Sequence, residues 1–321
     1  MSEQALIQKY FSRHQAVCEN IEVSVGDDAA IVCPPSNRKL VVTTDTLNAG
    51  IHFYSDCKPE YIGHKSLAVN LSDIAAMGAK PLWATLSLSL PDINHDWLEK
   101  FSNSFYALAD QYDLKLIGGD TVKGPLSITI QIIGSVEHKQ ELLRCNCEVD
   151  DLIYVSGFIG DAAFGLKVLQ KNYNIDISSK DKDYFLKKLY MPKPRLDVSR
   201  NINSYAHAAI DISDGFIIDL QRILTASNKG AVISLNEIPV SNPMKKLIKN
   251  ETDMKELLIG GEDYELIFSI NKNDKNKLEA YAENENIVLT EVGKIVKGSE
   301  ISLFNNGVDI KIPNHIGFDH F

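Results

Sequence analysis

Two rhythms alternate along this chain: short runs with strand-like spacing, and longer stretches with helical spacing. Residues 40–44 form a β-like run that ends in Asp45. Residues 59–77 read as a helix, with proline at the start, Gly78 after the end and Pro81 beyond. The pattern then predicts a strand over 82–90, a helix over 96–112 and a strand over 114–117 that leads into Gly118-Gly119-Asp120. Residues 127–136 alternate and are apolar-rich, so they read as another strand. Residues 137–150 are polar and aperiodic. A domain boundary is expected there, with a first domain over 1–137 and a second over 138–321. The second half restarts with a strand over 152–156, then Gly157 and Gly160, then a helix to about Leu169. Helices are expected near 181–190, 196–204 and 216–227, and strands at 208–210, 265–270 and 287–295, the last two with a helix between them. The tetrapeptide Leu-Ile-Gly-Gly recurs at 116–119 and 258–261, too short a match to make a repeat. The expected fold is mixed α/β in two domains.

Composition adds exclusions. The 33 Lys and Arg against 43 Asp and Glu leave a net charge of −10, with no basic stripe, so nucleic acid is not an expected partner. An acidic protein repels polyanions, and an anionic substrate needs local cations. No stretch approaches the roughly 20 apolar residues that span a bilayer, and the first ten residues lack a signal-peptide core. No membrane association is expected, and the cytoplasm is the expected location. Five cysteines in no framework spacing suggest reduced thiols, and Cys145 and Cys147 lack the second Cys/His pair of a zinc site.

The chemistry lies in aspartates beside glycines or at expected strand ends: Asp27 and Asp28 after Gly26, Asp45 in Thr43-Thr44-Asp45-Thr46, Asp73, Asp120, and Asp211 with Asp214. Glu262 and Asp263 follow Gly260-Gly261. Ligands of α/β sheets gather at strand ends. An oxygen-only set without matching His or Cys suits Mg²⁺, and several ions could share it, because clustered carboxylates need cations. Each acid also has a structural role open to it. Gly-Asp is ordinary turn chemistry, and Asp214 could cap the following helix. Asp73 sits in a helix apolar nearly all round, with Asn70 on the same face. A buried carboxylate there needs a partner, and a lysine, a helix end or a metal ion would each serve. No P-loop, G-x-G-x-x-G or protein-kinase motif is present. A bound nucleotide would have to be held by metals, backbone amides and cations such as Arg144.

These segments occur in the order of a known family. Gly26-Asp27-Asp28-Ala29-Ala30, Thr44-Asp45-Thr46-Leu47 with His52-Phe53, Ala68-Val69-Asn70-Leu71-Ser72-Asp73 and Gly118-Gly119-Asp120-Thr121 come first. Asp211-Ile212-Ser213-Asp214-Gly215, Gly260-Gly261-Glu262-Asp263-Tyr264-Glu265 and the terminal Asp319-His320-Phe321 follow. The chain resembles the thiamine-monophosphate kinases, in the superfamily of aminoimidazole ribonucleotide synthetase. The resemblance implies two α/β domains of that type, the first dimerising through its sheet and the second covering the cleft. It implies phosphorylation of thiamine monophosphate to thiamine diphosphate with ATP and several Mg²⁺ ions. Asp28, Thr43, Thr44, Asp45, Asp73, Asp120, Asp211 and Asp214 would surround the metals. Gly119, Asp120, Arg144 and Ser213 would contact ATP, and His52, Glu262 and Phe318 the thiamine phosphate. The acceptor is a phosphate oxygen that is already anionic, so no general base is expected, and none stands out. A sister enzyme of the superfamily and a thiamine-phosphate binder without turnover are the alternatives. Cys18 lacks the Gly-Lys setting of a selenophosphate synthetase, and the chain ends in Phe321 rather than a cysteine-bearing tail.

Overall fold

The structure is a computed structural model that describes residues 2–13, 20–173 and 176–312. The chain divides into two compact units, Met1–Ile74 with Ala79–Gln140, and Ala75–Gly78 with Glu141–Phe321.

The first unit opens with α1 (Glu3–Tyr10), capped by Ser2, and a small antiparallel pair, β1 (Ile21–Val23) and β2 (Ile31–Val32). The long strand β3 (Arg38–Asn48) precedes α2 (Pro59–Ala76), β4 (Lys80–Leu90), α3 (His95–Gln111), β5 (Lys115–Lys123) and β6 (Ser127–Glu137). The sheet order is β3-β6-β4-β5. β3 runs antiparallel to β6 from Arg38 opposite Glu137 to Asn48 opposite Ser127, and β4 runs parallel to β5. α2 is buried nearly all round, as its composition predicts: Leu67, Ala68, Asn70, Leu71, Ile74 and Ala75 are inaccessible. α3 is amphipathic and buries Leu98, Phe101, Phe105 and Leu108 at helical spacing.

Two strands outrun their expected ends. β3 continues through Asp45 instead of stopping at it, and β5 carries Gly118-Gly119-Asp120 within the strand. The polar residues beyond 117 show no alternation, yet β4 supplies partners: Gly118 faces Thr85, Gly119 faces Leu86 and Asp120 faces Ser87. Neighbour pairing overrides weak strand propensity here. Residue 119 has to be glycine, because φ is +150° and a Cβ would lie 1.8 Å from the Leu86 carbonyl oxygen.

The second unit contains β7 (Leu152–Ser156), α4 (Asp161–Leu169), α5 (Ser179–Tyr190), α6 (Leu196–Ile202), β8 (Ala206–Asp211), α7 (Phe216–Ser227) and β9 (Gly230–Ser234). These are followed by α8 (Asn242–Lys245), α9 (Glu251–Ile259), β10 (Leu266–Ile270), α10 (Lys275–Glu285), β11 (Leu289–Val296), β12 (Ile301–Asn305) and β13 (Val308–Ile310). The seven strands are ordered β13-β12-β9-β11-β7-β10-β8. α7 packs Phe216, Ile217, Leu220, Ile223 and Leu224 against Ile153, Val155, Ile210 and Ile267 of the sheet. The sequence pattern missed α1, β1, β2, β9, α8, α9, β12 and β13. For α9 a signal was present: Asn250 and Asp253 form a reciprocal capping box. Among the described residues, no helix is long and apolar enough to cross a membrane.

Candidate active site

In the first unit, β3 and α2 build an acidic site together. Asn70, three residues before Asp73, is fully buried and accepts the Asp45 backbone N–H at 3.0 Å while donating to the Ser66 carbonyl at 3.1 Å. It thereby satisfies an amide of an edge strand and fixes α2 against β3. On the same face of α2, Asp73 Oδ2 accepts the Thr43 hydroxyl at 2.5 Å. The Asp45 carboxyl is pushed up to about 6, first by burial and then by the charge and hydrogen bonding of Asp73. Thr43, Asp45 and Asp73 therefore meet, and Asp73 has a hydroxyl donor and a second carboxylate among its neighbours. Two half-buried carboxylates beside a hydroxyl form a hard-oxygen donor set that fits a divalent cation. Thr44 neighbours them on β3 but is exposed, and it accepts from Gln131 Nε2 at 3.2 Å.

A cleft of about 1010 Å³ in the same unit brings Asp28, Gly119 and Asp120 to one surface. Its walls come from Gly26–Ala30, the 116–121 part of β5 and α1, which contributes Gln4, Ile7 and Gln8. Asp28 and Asp120 are both exposed.

His52 follows the end of β3. Its Nδ1 accepts the Asn48 backbone N–H at 3.0 Å. An amide can only donate, so the neutral ring carries its proton on Nε2. The imidazole is thus set up as a hydrogen-bond donor.

In the second unit, two glycine-bearing segments join. Asp211, the last residue of β8, is buried opposite Leu266 of β10. Beyond it Ile212 N–H donates to the Glu265 carbonyl at 2.8 Å, Tyr264 N–H to the Ile212 carbonyl at 2.9 Å, and Glu262 N–H to the Ser213 carbonyl at 2.8 Å. A Cβ on Gly261 would lie 2.2 Å from the Ser213 carbonyl oxygen, so glycine permits this approach. Asp211, Ser213, Asp214 and Glu262 are thereby gathered. Glu262 and Tyr264 take φ of +75° and +50°, a left-handed backbone uncommon for non-glycine residues. Behind them Glu265 accepts from Ser156 Oγ at 2.7 Å and is clamped by Arg195 in a buried ion pair. Asp263 turns away to cap α4, accepting from Gly160 N–H at 2.7 Å and Ala162 N–H at 3.1 Å.

Arg144 is not gathered with Ser213 inside this unit. Its carbonyl accepts from Ser227 Oγ at 2.8 Å, at the far end of α7 from Gly215. Twelve residues of helix separate the two places by about 18 Å. Phe318 lies outside the described residues. Sequence reasoning also missed Asp219 and Arg222, which hold the 213–215 backbone and Asp214. Nothing distinguishes them in one sequence from ordinary helix-surface charges. A further group, Glu148, Asp151 and His207, brings three ligand-type side chains within 4.8 Å. There the buried Asp151 is already served by His207 Nδ1 at 2.9 Å, Glu148 N–H at 2.8 Å and Ser269 Oγ at 3.2 Å.

Comparison with known proteins adds the family. Residues 26–136 match the model of the AIR synthase related protein N-terminal domain, and residues 148–305 that of its C-terminal domain. The chain is 42% identical to the thiamine-monophosphate kinase of Buchnera aphidicola subsp. Acyrthosiphon pisum, over 100% of this chain and 99% of that one. It is similar to the crystal structure of thiamine-monophosphate kinase from Stenotrophomonas maltophilia K279a, with TM-score 0.87 and 40% identity over 97% of this chain and 98% of that one. It is also similar to the structure of AaThiL complexed with AMPPCP and TMP, with TM-score 0.77 and 30% identity over 93% and 92% of the two chains.

Proposed function

The chain belongs to the thiamine-monophosphate kinase family of AIR synthase related proteins, and we propose that it passes the terminal phosphoryl group of ATP directly, in line, to the phosphate of thiamine monophosphate, assisted by several Mg²⁺ ions. The observation that carries this reading is the Asp45–Asp73 carboxylate pair on Thr43, a site made of hard oxygen donors. Mg²⁺, when bound, neutralises the charge of the reacting phosphates.

The chain's own residues do the positioning. Thr43, Thr44, Asp45, Asp73, Asp28 and Asp120 of the first unit, with Asp211 and Asp214 of the second, are the metal-facing set. Gly119 and Ser213 present backbone and hydroxyl to the nucleotide, and Arg144 joins them through the family resemblance alone. His52 donates Nε2–H to the acceptor phosphate, since Nδ1 is held by Asn48. Glu262 meets the amine-bearing, cationic thiamine, and Phe318 offers it an aromatic face. The acceptor oxygen is already anionic, so no residue has to remove a proton.

Dimerisation through the first sheet belongs to the same reading. Leu40 and Val42 of β3 stand 48% and 58% exposed, and apolar side chains on an edge strand call for cover. Light scattering after size exclusion should give a dimer mass at micromolar concentration; a monomer in an active preparation overturns this part. The reaction is tested with purified protein, ATP, Mg²⁺ and either thiamine monophosphate or free thiamine, with products separated by chromatography. Turnover of the monophosphate with little or none of thiamine is expected. Comparable turnover of both overturns the phosphate-directed site, because thiamine's hydroxyl would need a base.

A further inference from the structure

Beneath the 211–215 segment lies a carboxylate to which the reading above gives no task. Asp219, in the first turn of α7, is inaccessible to solvent. Its Oδ2 accepts three consecutive backbone N–H groups: Ser213 at 3.1 Å, Asp214 at 3.0 Å and Gly215 at 3.1 Å. Its Oδ1 accepts from Arg222 Nη1 at 2.5 Å, and the same nitrogen lies 2.7 Å from Asp214 Oδ2. One buried side chain therefore holds the backbone of this segment and, through Arg222, the Asp214 carboxylate.

We propose that Asp219 is a positioning residue for phosphoryl transfer, fixing Ser213, Asp214 and Gly215 in the conformation that nucleotide and metal meet. The inference rests on the assignment of Ser213 and Asp214 made above. An ordinary helix cap precedes its helix and serves the amides of the first turn. Asp219 instead sits inside the helix and reaches back to the amides that lead into it, while the N-cap position, Gly215, has no side chain to bond them. The segment is also held from its other side, where the Ser213 carbonyl accepts Glu262 N–H. A buried carboxylate costs desolvation, met here by three amides and a guanidinium. A segment so fixed needs no reorganisation as charge develops, which is where electrostatic catalysis gains most.

The test uses the full chain. In the unaltered protein without nucleotide, amide hydrogen exchange over 213–215 should already be slow. Fast exchange there overturns a preset segment. Asp219→Asn keeps the shape and loses the charge. It should speed that exchange, weaken binding of a non-hydrolysable ATP analogue with Mg²⁺ in calorimetry, and lower kcat by on the order of a hundredfold. The KM for thiamine monophosphate should stay unchanged. A lower Tm with native kcat and native analogue affinity would make the contact structural only and sink the proposal. Should Asp219→Asn not fold, Arg222→Met leaves the three amide bonds in place. It should keep the slow exchange and lower kcat, and a native kcat there removes the link to Asp214. A native chain that does not phosphorylate thiamine monophosphate would overturn the proposed reaction instead, while exchange and analogue binding still decide the role of Asp219.

Discussion

The two acidic groups of this molecule solve the same problem in opposite ways. In the first unit Asp45 is flanked by another carboxylate, and burial with Asp73 drives its pKa to about 6. In the second unit Asp214 has Arg222 at 2.7 Å, and the neighbouring Asp219 shares that cation and collects three amides. The first group concentrates negative charge, while the second carries its own counter-charge. On the proposed reading both groups face metal, the first through two carboxylates close together and the second through Asp214 held by Arg222 and Asp219.

Removal of divalent ions tests the first half of that contrast with the largest effect. EDTA should abolish turnover and added Mg²⁺ restore it. Turnover that persists in EDTA would leave the Asp45–Asp73 pair without its expected role. Next come single substitutions. Asp45→Asn and Asp120→Asn should each lower kcat by at least about a hundredfold with unchanged circular dichroism.

Stability should then move in opposite directions in the two groups. Without divalent ions at pH 7.5, Asp45→Asn removes a repelled charge and should raise Tm by several degrees. Asp214→Asn loses its Arg222 pair and should leave Tm unchanged or lower. Equal shifts would erase the distinction. The sign follows from linkage. A carboxyl near 4 when unfolded and near 6 when folded binds more protons in the folded state. Stability without metal therefore falls as pH rises from about 4 to above 6, by at most about 3 kcal/mol from this group. Mg²⁺ should raise Tm more at pH 7.5 than at pH 5. The smallest effect concerns the acceptor: His52→Gln should raise the KM for thiamine monophosphate about tenfold, the scale of one hydrogen bond to a charged group. An unchanged KM would remove His52 from that site.

Periodicity and punctuation sufficed for α2, α3, α7, β6, the centre of β3 and the start of β5, because each carries its own repeat and its own end signals. The acidic segments were legible for a similar reason: Gly-Asp-Asp, Gly-Gly-Asp and Asp-Ile-Ser-Asp-Gly place unusual backbone beside charge within a few residues. Tertiary structure decided what joins across the chain. It paired Asp120 with Ser87 in a strand that its own residues do not favour, and set Asn70 as the acceptor for Asp45 N–H. It turned Asp263 from a site neighbour into a helix cap and brought the Glu262 amide to the Ser213 carbonyl. Asp219 illustrates the limit best. In sequence it is one more acid on an amphipathic helix, and only the fold buries it under three amides, because burial and hydrogen-bond direction depend on neighbours distant in the chain.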